Sequence, residues 1–294
     1  MKHRLSSLER SVVRWALDPH PIRTASLIGI ERWNLGSYEF RVGLGAVDRP
    51  HYAYCVWQAA RLAQGLGVPR ISVIEFGVAG GNGLLSLERH AAKTSESTGV
   101  TIDVYGFDTG EGLPAPTDYR DLPYRWKPGF FEMDESALRS RLTSATLVLG
   151  DVRDTLSTFA DTYCPAPIGA VMQDLDLYTS TKAALAVFDL HERHRMPRIF
   201  TYFDDIIGKE TALYNDYTGE RLAIGEFNDT HVSKKISPAY CLLNRVSQRW
   251  HPKIFVNHDF EHPRYNDFVS SEGRQLRLKE PTATATARSI DRRH

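Results

Sequence analysis

Five short apolar runs recur along the chain, at 71–76, 101–107, 145–149, 168–173 and 198–203. Between them apolar residues step by three and four, the spacing of a helix with one buried face. The segment 82–93 carries Leu84, Leu87 and Ala91 in this way, and 134–143, 152–162 and 179–195 follow, the last ending at Pro197. Near-continuous apolar strands alternating with helices predict a parallel sheet covered on both faces. Upstream, Leu5, Leu8, Val12 and Trp15 predict a short amphipathic helix, and 18–47 reads as irregular. Asp48 reads as an N-cap with Pro50 in the first turn of a helix that buries Tyr52, Val56, Ala59, Ala63 and Leu66.

Two stretches break the alternation. Residues 109–133 hold four prolines and five aromatics, and 208–238 follow the fifth run. Long connections at the carboxyl edge of a parallel sheet are where ligands bind, so both are expected to be lids or binding surfaces. The expected organisation is an N-terminal helical segment or lid over 1–68, a core over 69–280 with insertions at 109–133 and 208–238, and a loose tail over 281–294.

Charge narrows the function classes. Lys plus Arg number 36 and Asp plus Glu number 36, a formal net charge of zero with no dense basic run, which argues against a nucleic-acid partner. Cys55, Cys164 and Cys241 are too far apart for a disulfide framework or a cysteine zinc site. The first residues are too charged for a signal peptide, and no apolar stretch approaches a membrane span. A cytoplasmic protein with no membrane partner is expected.

The candidate chemistry lies in "VIEFGVAGGNG", residues 73–83, and in the acids that end each strand: Glu75, Asp108, Asp151, Asp174, Asp176, Asp204 and Asp205. In a parallel sheet these seven share one rim, where they would repel unless a cation or hydrogen-bond donors sit among them. A pyrophosphate suits a glycine turn but not an acid within it. S-Adenosylmethionine, with an ammonium, a sulfonium, a ribose diol and an adenine amine, suits both. Gly77, Gly81 and Gly83 would then make room for it, Gly80 would help the chain bend, and Glu75 would lie near its amino-acid portion. Asp108 would accept from the ribose hydroxyls, and Asp151 from the adenine amine.

With "IEFGVAGGNG", "YGFDTGEGLP", "LGDVRDTL", "MQDLDLYTST" and "YFDDIIG" in this order over roughly 70–208, the chain resembles the class I S-adenosylmethionine-dependent methyltransferases. More narrowly, it resembles the macrocin-type sugar O-methyltransferases. The resemblance implies a Rossmann-like α/β fold with a mostly parallel seven-stranded sheet and helices on both faces. It also implies a divalent cation, usually Mg2+, held by Asp174, Asp204 and Asp205, with Asp176 as general base. The implied reaction is O-methylation of a small hydroxylated acceptor such as a natural-product sugar; a homo-oligomer is compatible with it. "GVAGG" and "TGEG" depart from the family's usual runs, and the regions that would choose the acceptor match no known pattern. The alternatives are a metal-independent methyltransferase acting on N or C, a nicotinamide-dependent oxidoreductase, and an inactive binding protein.

Other features admit two readings. His258 and His262 stand four apart as a helical metal pair would, although "KIFVNHDF" favours a strand and turn; His258 is also a candidate secondary base. Lys182 reads as a solvated helix residue. Residues 49–52 either cover the cofactor or simply start a helix. Trp33, Tyr38 and Phe40 line an acceptor pocket or form a small satellite core.

Overall fold

The structure, a computed structural model, describes residues 21–270. A seven-stranded sheet forms its centre: β1 (Arg70–Phe76), β2 (Thr101–Asp108), β3 (Thr146–Leu149), β4 (Ile168–Gln173), β5 (Arg195–Phe203), β6 (Lys234–Pro238) and β7 (Ile254–Asp259). Their order is β3-β2-β1-β4-β5-β7-β6. The first five run parallel, and β7 is antiparallel to both neighbours. The helices are α1 (Pro21–Arg32), α2 (Tyr38–Leu44), α3 (Pro50–Gly65), α4 (Asn82–Thr98), α5 (Glu135–Arg141), α6 (Val152–Tyr163), α7 (Tyr178–Ala184) and α8 (Gly219–Thr230).

Successive side chains of a strand point to opposite faces, and β2 shows what this does here. Tyr105 and Phe107 pack on Phe159 of α6, with ring centroids 5.0 and 5.1 Å apart. Gly106, between them, faces the other way, where a Cβ would meet Leu84 of α4 at 2.7 Å. Helices therefore cover both faces, β4 is buried throughout and β1 is buried after its first residue. The fold is the expected Rossmann-like one, mostly parallel and seven-stranded.

Several local expectations need correction. The stretch read as irregular, 18–47, contains α1 and α2 within its described part. No residue of α1 is buried, so it lacks the apolar face that periodicity detects. Asp48 is not the cap of α3. Arg49 holds that position at φ 41°, with no side-chain cap. The Asp48 carboxylate instead accepts from Ser86 and Arg89 of α4, at 2.8 and 2.7 Å. Tertiary partners on a neighbouring helix outcompete the local amide.

The helix expected over 179–195 ends at Ala184 and gives way to 3-10 turns. Leu185, Val187 and Phe188 are all buried there. Pro197 lies inside β5 rather than after a helix, where the β4–β5 register shifts and a missing N–H is tolerated. Most of 208–238 is not loop: it holds α8 and edge strand β6. Tyr38 joins Val42, Val47, Ala53 and Trp57 in a satellite core, whereas Trp33 and Phe40 are exposed. The expected amphipathic helix at the N-terminus and the tail at 281–294 lie outside the described residues. Among the described residues, no helix is long and apolar enough to cross a membrane.

Candidate cofactor and metal site

At the carboxyl edge of the sheet a cavity of about 350 Å³ opens between the ends of β1, β2, β3, β4 and β5. Seven residues singled out from sequence line it: Gly77, Asp108, Asp151, Asp174, Asp176, Asp204 and Asp205. Strand direction is what brings them together, since each follows or ends a parallel strand. Glu75, Gly81 and Gly83 are not in the lining and lie behind the turn.

The turn is compact. Gly77 takes φ 85°, and a Cβ there would stand 1.8 Å from the Asp174 carbonyl oxygen. Only glycine lets the end of β1 approach the end of β4 so closely. A Cβ on Gly83 would stand 1.8 Å from Glu75 Oε1, so this glycine admits a carboxyl beneath the start of α4. Gly80 has nothing within 4 Å of its would-be Cβ.

Glu75 is buried and accepts a 2.6 Å hydrogen bond from the Tyr52 hydroxyl at Oε1, while Oε2 has no partner. Burial pushes its pKa up to about 8, against the opposing effects of the Tyr52 bond and the Arg49 charge. Asp108 is committed to backbone: Oδ2 accepts from the amides of Val78 and Ala79, both at 2.8 Å, and Oδ1 from Gly110 at 2.7 Å. In this structure it shapes the glycine turn that it faces. Asp151 caps α6 through the Arg153 amide at 2.8 Å and pairs with the Arg153 guanidinium at 2.5 Å.

Asp174, Asp204 and Asp205 each offer a carboxylate oxygen within 4.8 Å of the others. Burial, and then the neighbouring Asp204 and Asp205, push Asp174 well above the usual carboxyl range. Asp176 is also raised, by burial and then by Asp205, and its backbone sits in the left-handed region at φ 59°. Asp204 goes the other way. Burial acts upward, but hydrogen bonds from Tyr202 and Lys253 prevail and hold it low. The Lys253 ammonium lies 2.9 Å from Asp204 Oδ1. Asp205 accepts from the Tyr214 hydroxyl at Oδ1, its amide donates to Glu220 at 2.7 Å, and its Oδ2 is buried without a partner. Three convergent carboxylates, one with an orphaned oxygen, fit a hard divalent cation, which prefers oxygen ligands.

Sequence reasoning did not find Lys253, Tyr214 or Glu220, and it placed Tyr52 on a buried helix stripe and in the 49–52 stretch without pairing it with Glu75. Lys253 precedes β7 and Tyr214 sits in a connection, so neither carries a motif. The 109–133 connection does reach the cavity, contributing Leu113, Arg125, Trp126 and Phe131 among others. The histidines do not form a metal pair. His258 bonds the Tyr265 hydroxyl at 2.8 Å, and His262 the Arg195 carbonyl at 3.1 Å. Because β7 is antiparallel, His258 pairs with Arg198, at the end of β5 away from the acids, so it is not a secondary base. Lys182 pairs with Glu226 at 2.6 Å on the surface.

No family model and no curated protein matches the sequence. Solved structures are similar. CalS11, a calicheamicin methyltransferase, is 20% identical over 82% of this chain and 93% of its own, with a TM-score of 0.47. The O-methyltransferase NovP is 16% identical over 70% and 78%, also at 0.47. MycE from the mycinamycin pathway, in complex with Mg, SAH and mycinamycin VI, is 13% identical over 73% and 51%, at 0.37. Likenesses this distant carry no argument about activity, which rests on the residues of the cavity.

Proposed function

We propose that the chain is an S-adenosylmethionine-dependent, divalent-cation-dependent O-methyltransferase acting on a hydroxyl of a small molecule such as a natural-product sugar. One observation carries this reading: three carboxylates within 4.8 Å of one another share a cavity with the glycine turn and with Asp108 and Asp151.

On this reading Glu75 and the turn 77–83 receive the amino-acid end of the methyl donor, and Asp108 and Asp151 face its ribose and adenine. Bound S-adenosylmethionine supplies the methyl group. A cation held by Asp174, Asp204 and Asp205 supplies charge that offsets the clustered acids and makes a nearby hydroxyl easier to ionise. Asp176, from the strand that also carries Asp174, takes the proton of the acceptor hydroxyl on a carboxylate oxygen. Trp126, Leu113 and Phe131 wall the cavity with apolar surface and keep bulk water away from the transfer. Positioning of the acceptor hydroxyl by the cavity walls would then do most of the catalytic work.

A thermal-shift titration with S-adenosylhomocysteine and Mg2+, singly and together, tests the proposal. Stabilisation by the nucleoside, increased by Mg2+, is the expected result. Stabilisation by NADH in place of S-adenosylhomocysteine overturns the methyltransferase reading. A nucleoside response indifferent to every divalent cation overturns the metal-dependent part.

A further inference from the structure

The 109–133 connection brings a positive charge to a cavity lined with acids. The described residues that line it include six aspartates, one arginine, Arg125, and no lysine. Asp151 and Asp204 pair with Arg153 and Lys253, and among the described residues no acidic side chain forms an ion pair with Arg125. Its half-buried guanidinium lies against two rings, 4.2 Å from the centroid of Trp126 and 5.3 Å from that of Tyr214. Trp126 belongs to a small core with Leu122 and Leu177, on which Tyr214 packs, so the rings are fixed to the segment that leads into α7. Arg125 Nε is buried without a partner, which leaves the outer edge of the guanidinium, with its two terminal nitrogens, as the part a ligand can reach. The Tyr214 hydroxyl bonds Asp205. Arg125 therefore stands on the β4–β5 side of the cavity, whereas the glycine turn, Asp108 and Asp151 follow β1, β2 and β3.

On the proposed function the methyl donor lies over β1, β2 and β3, which puts Arg125 on the side of the acceptor. A neutral acceptor leaves this guanidinium unpaired beside the apolar walls of Leu113, Trp126 and Phe131. A phosphate brings about two negative charges into a space already crowded with aspartates. A carboxylate brings one, and its two oxygens match two parallel N–H donors. We propose that the acceptor is a hydroxylated carboxylic acid, such as a sugar acid, whose carboxylate pairs with Arg125. This deepens the proposed function and rests on it. Arg125 selects the acceptor by charge and moves no proton, and the apolar walls strengthen the pair by lowering the local polarity.

Calorimetric titration of protein loaded with S-adenosylhomocysteine and Mg2+ tests this with three sugars that differ at one carbon. D-Glucuronate has a carboxylate there, D-glucose a hydroxymethyl group and D-glucose 6-phosphate a phosphate. Wild-type protein should bind glucuronate roughly tenfold or more tighter than glucose, the worth of one charge-assisted pair. Arg125→Gln should abolish that preference and leave the affinity for glucose as it is. Arg125→Lys keeps the charge but loses the fork, so it should keep only part of the preference, and it carries the test if the Gln variant does not fold. Equal affinity for glucuronate and glucose, or no saturable binding of glucuronate, overturns the inference. A preference for glucose 6-phosphate that depends on Arg125 refutes the carboxylate assignment. An Arg125→Gln variant that tightens Mg2+ binding and leaves the order of the sugars unchanged also refutes it, because Arg125 then serves only to offset the aspartates. Wild-type protein that takes up no S-adenosylhomocysteine overturns the methyltransferase reading itself, a separate result.

Discussion

The Asp174 carbonyl oxygen occupies the space that a side chain on Gly77 would need, 1.8 Å from the position of its Cβ. The glycine turn and the strand end that carries Asp174 are thereby fastened together, with the Asp174 amide donating to the Phe76 carbonyl at 2.9 Å. Gly77→Ala adds a left-handed alanine, costing about 1–2 kcal/mol, to a backbone clash that cannot relax through a flexible side chain. The expected outcome is a large loss of stability in urea denaturation together with loss of nucleoside binding. Wild-type stability in this variant would refute the close approach.

Asp108 is the second fastening. Its two oxygens accept from three backbone amides, and Asp108→Asn replaces one oxygen with a donor that faces donors. Leaving these partly buried amides without acceptors costs roughly 1 kcal/mol or more, visible as a lower denaturation midpoint with no ligand present. If only nucleoside affinity falls, the carboxylate serves the ligand and not the turn.

Glu75 makes stability depend on pH. Its pKa is about 8 in the folded chain against an ordinary 4.5. Between those values the folded protein holds a proton that the unfolded chain has released. Its contribution therefore declines as pH rises through this window, by about 1.4 kcal/mol per unit. Glu75→Gln removes the effect, so the variant should gain on wild type progressively from pH 5 to pH 8. Denaturation curves for both proteins across this range check it, and a constant difference would count against a protonated Glu75.

The proposed role of the carboxylate cluster is checked by divalent cation and by substitution. Asp174→Asn substitutes a neutral group where burial already disfavours charge, so the metal-free variant should be at least as stable as wild type. Asp204→Asn and Asp205→Asn should weaken Mg2+ binding by about tenfold or more. Both should leave the response to S-adenosylhomocysteine in place. The readout is the Mg2+-dependent part of the thermal shift, and a wild-type Mg2+ response in all three variants would exclude these side chains as ligands.

The five parallel strands and the acids at their ends were legible without coordinates, because burial on both faces writes a near-continuous apolar run and a strand end is a local event. Asp108, Asp174 and Asp204 could be put on one rim from strand direction alone, whereas Glu75, expected there too, is buried outside the cavity lining. The partners of these acids could not be read in that way. Lys253 reaches Asp204 from 49 residues away, and Tyr52 reaches Glu75 from 23, through packing of β7 and α3 that no spacing records. A local pattern also misled where tertiary contacts outbid it: Asp48 left the helix start for α4. Periodicity reports which surface an element hides. Only the assembled fold decides which charged groups meet, because that depends on chain segments distant in sequence arriving at the same few ångströms.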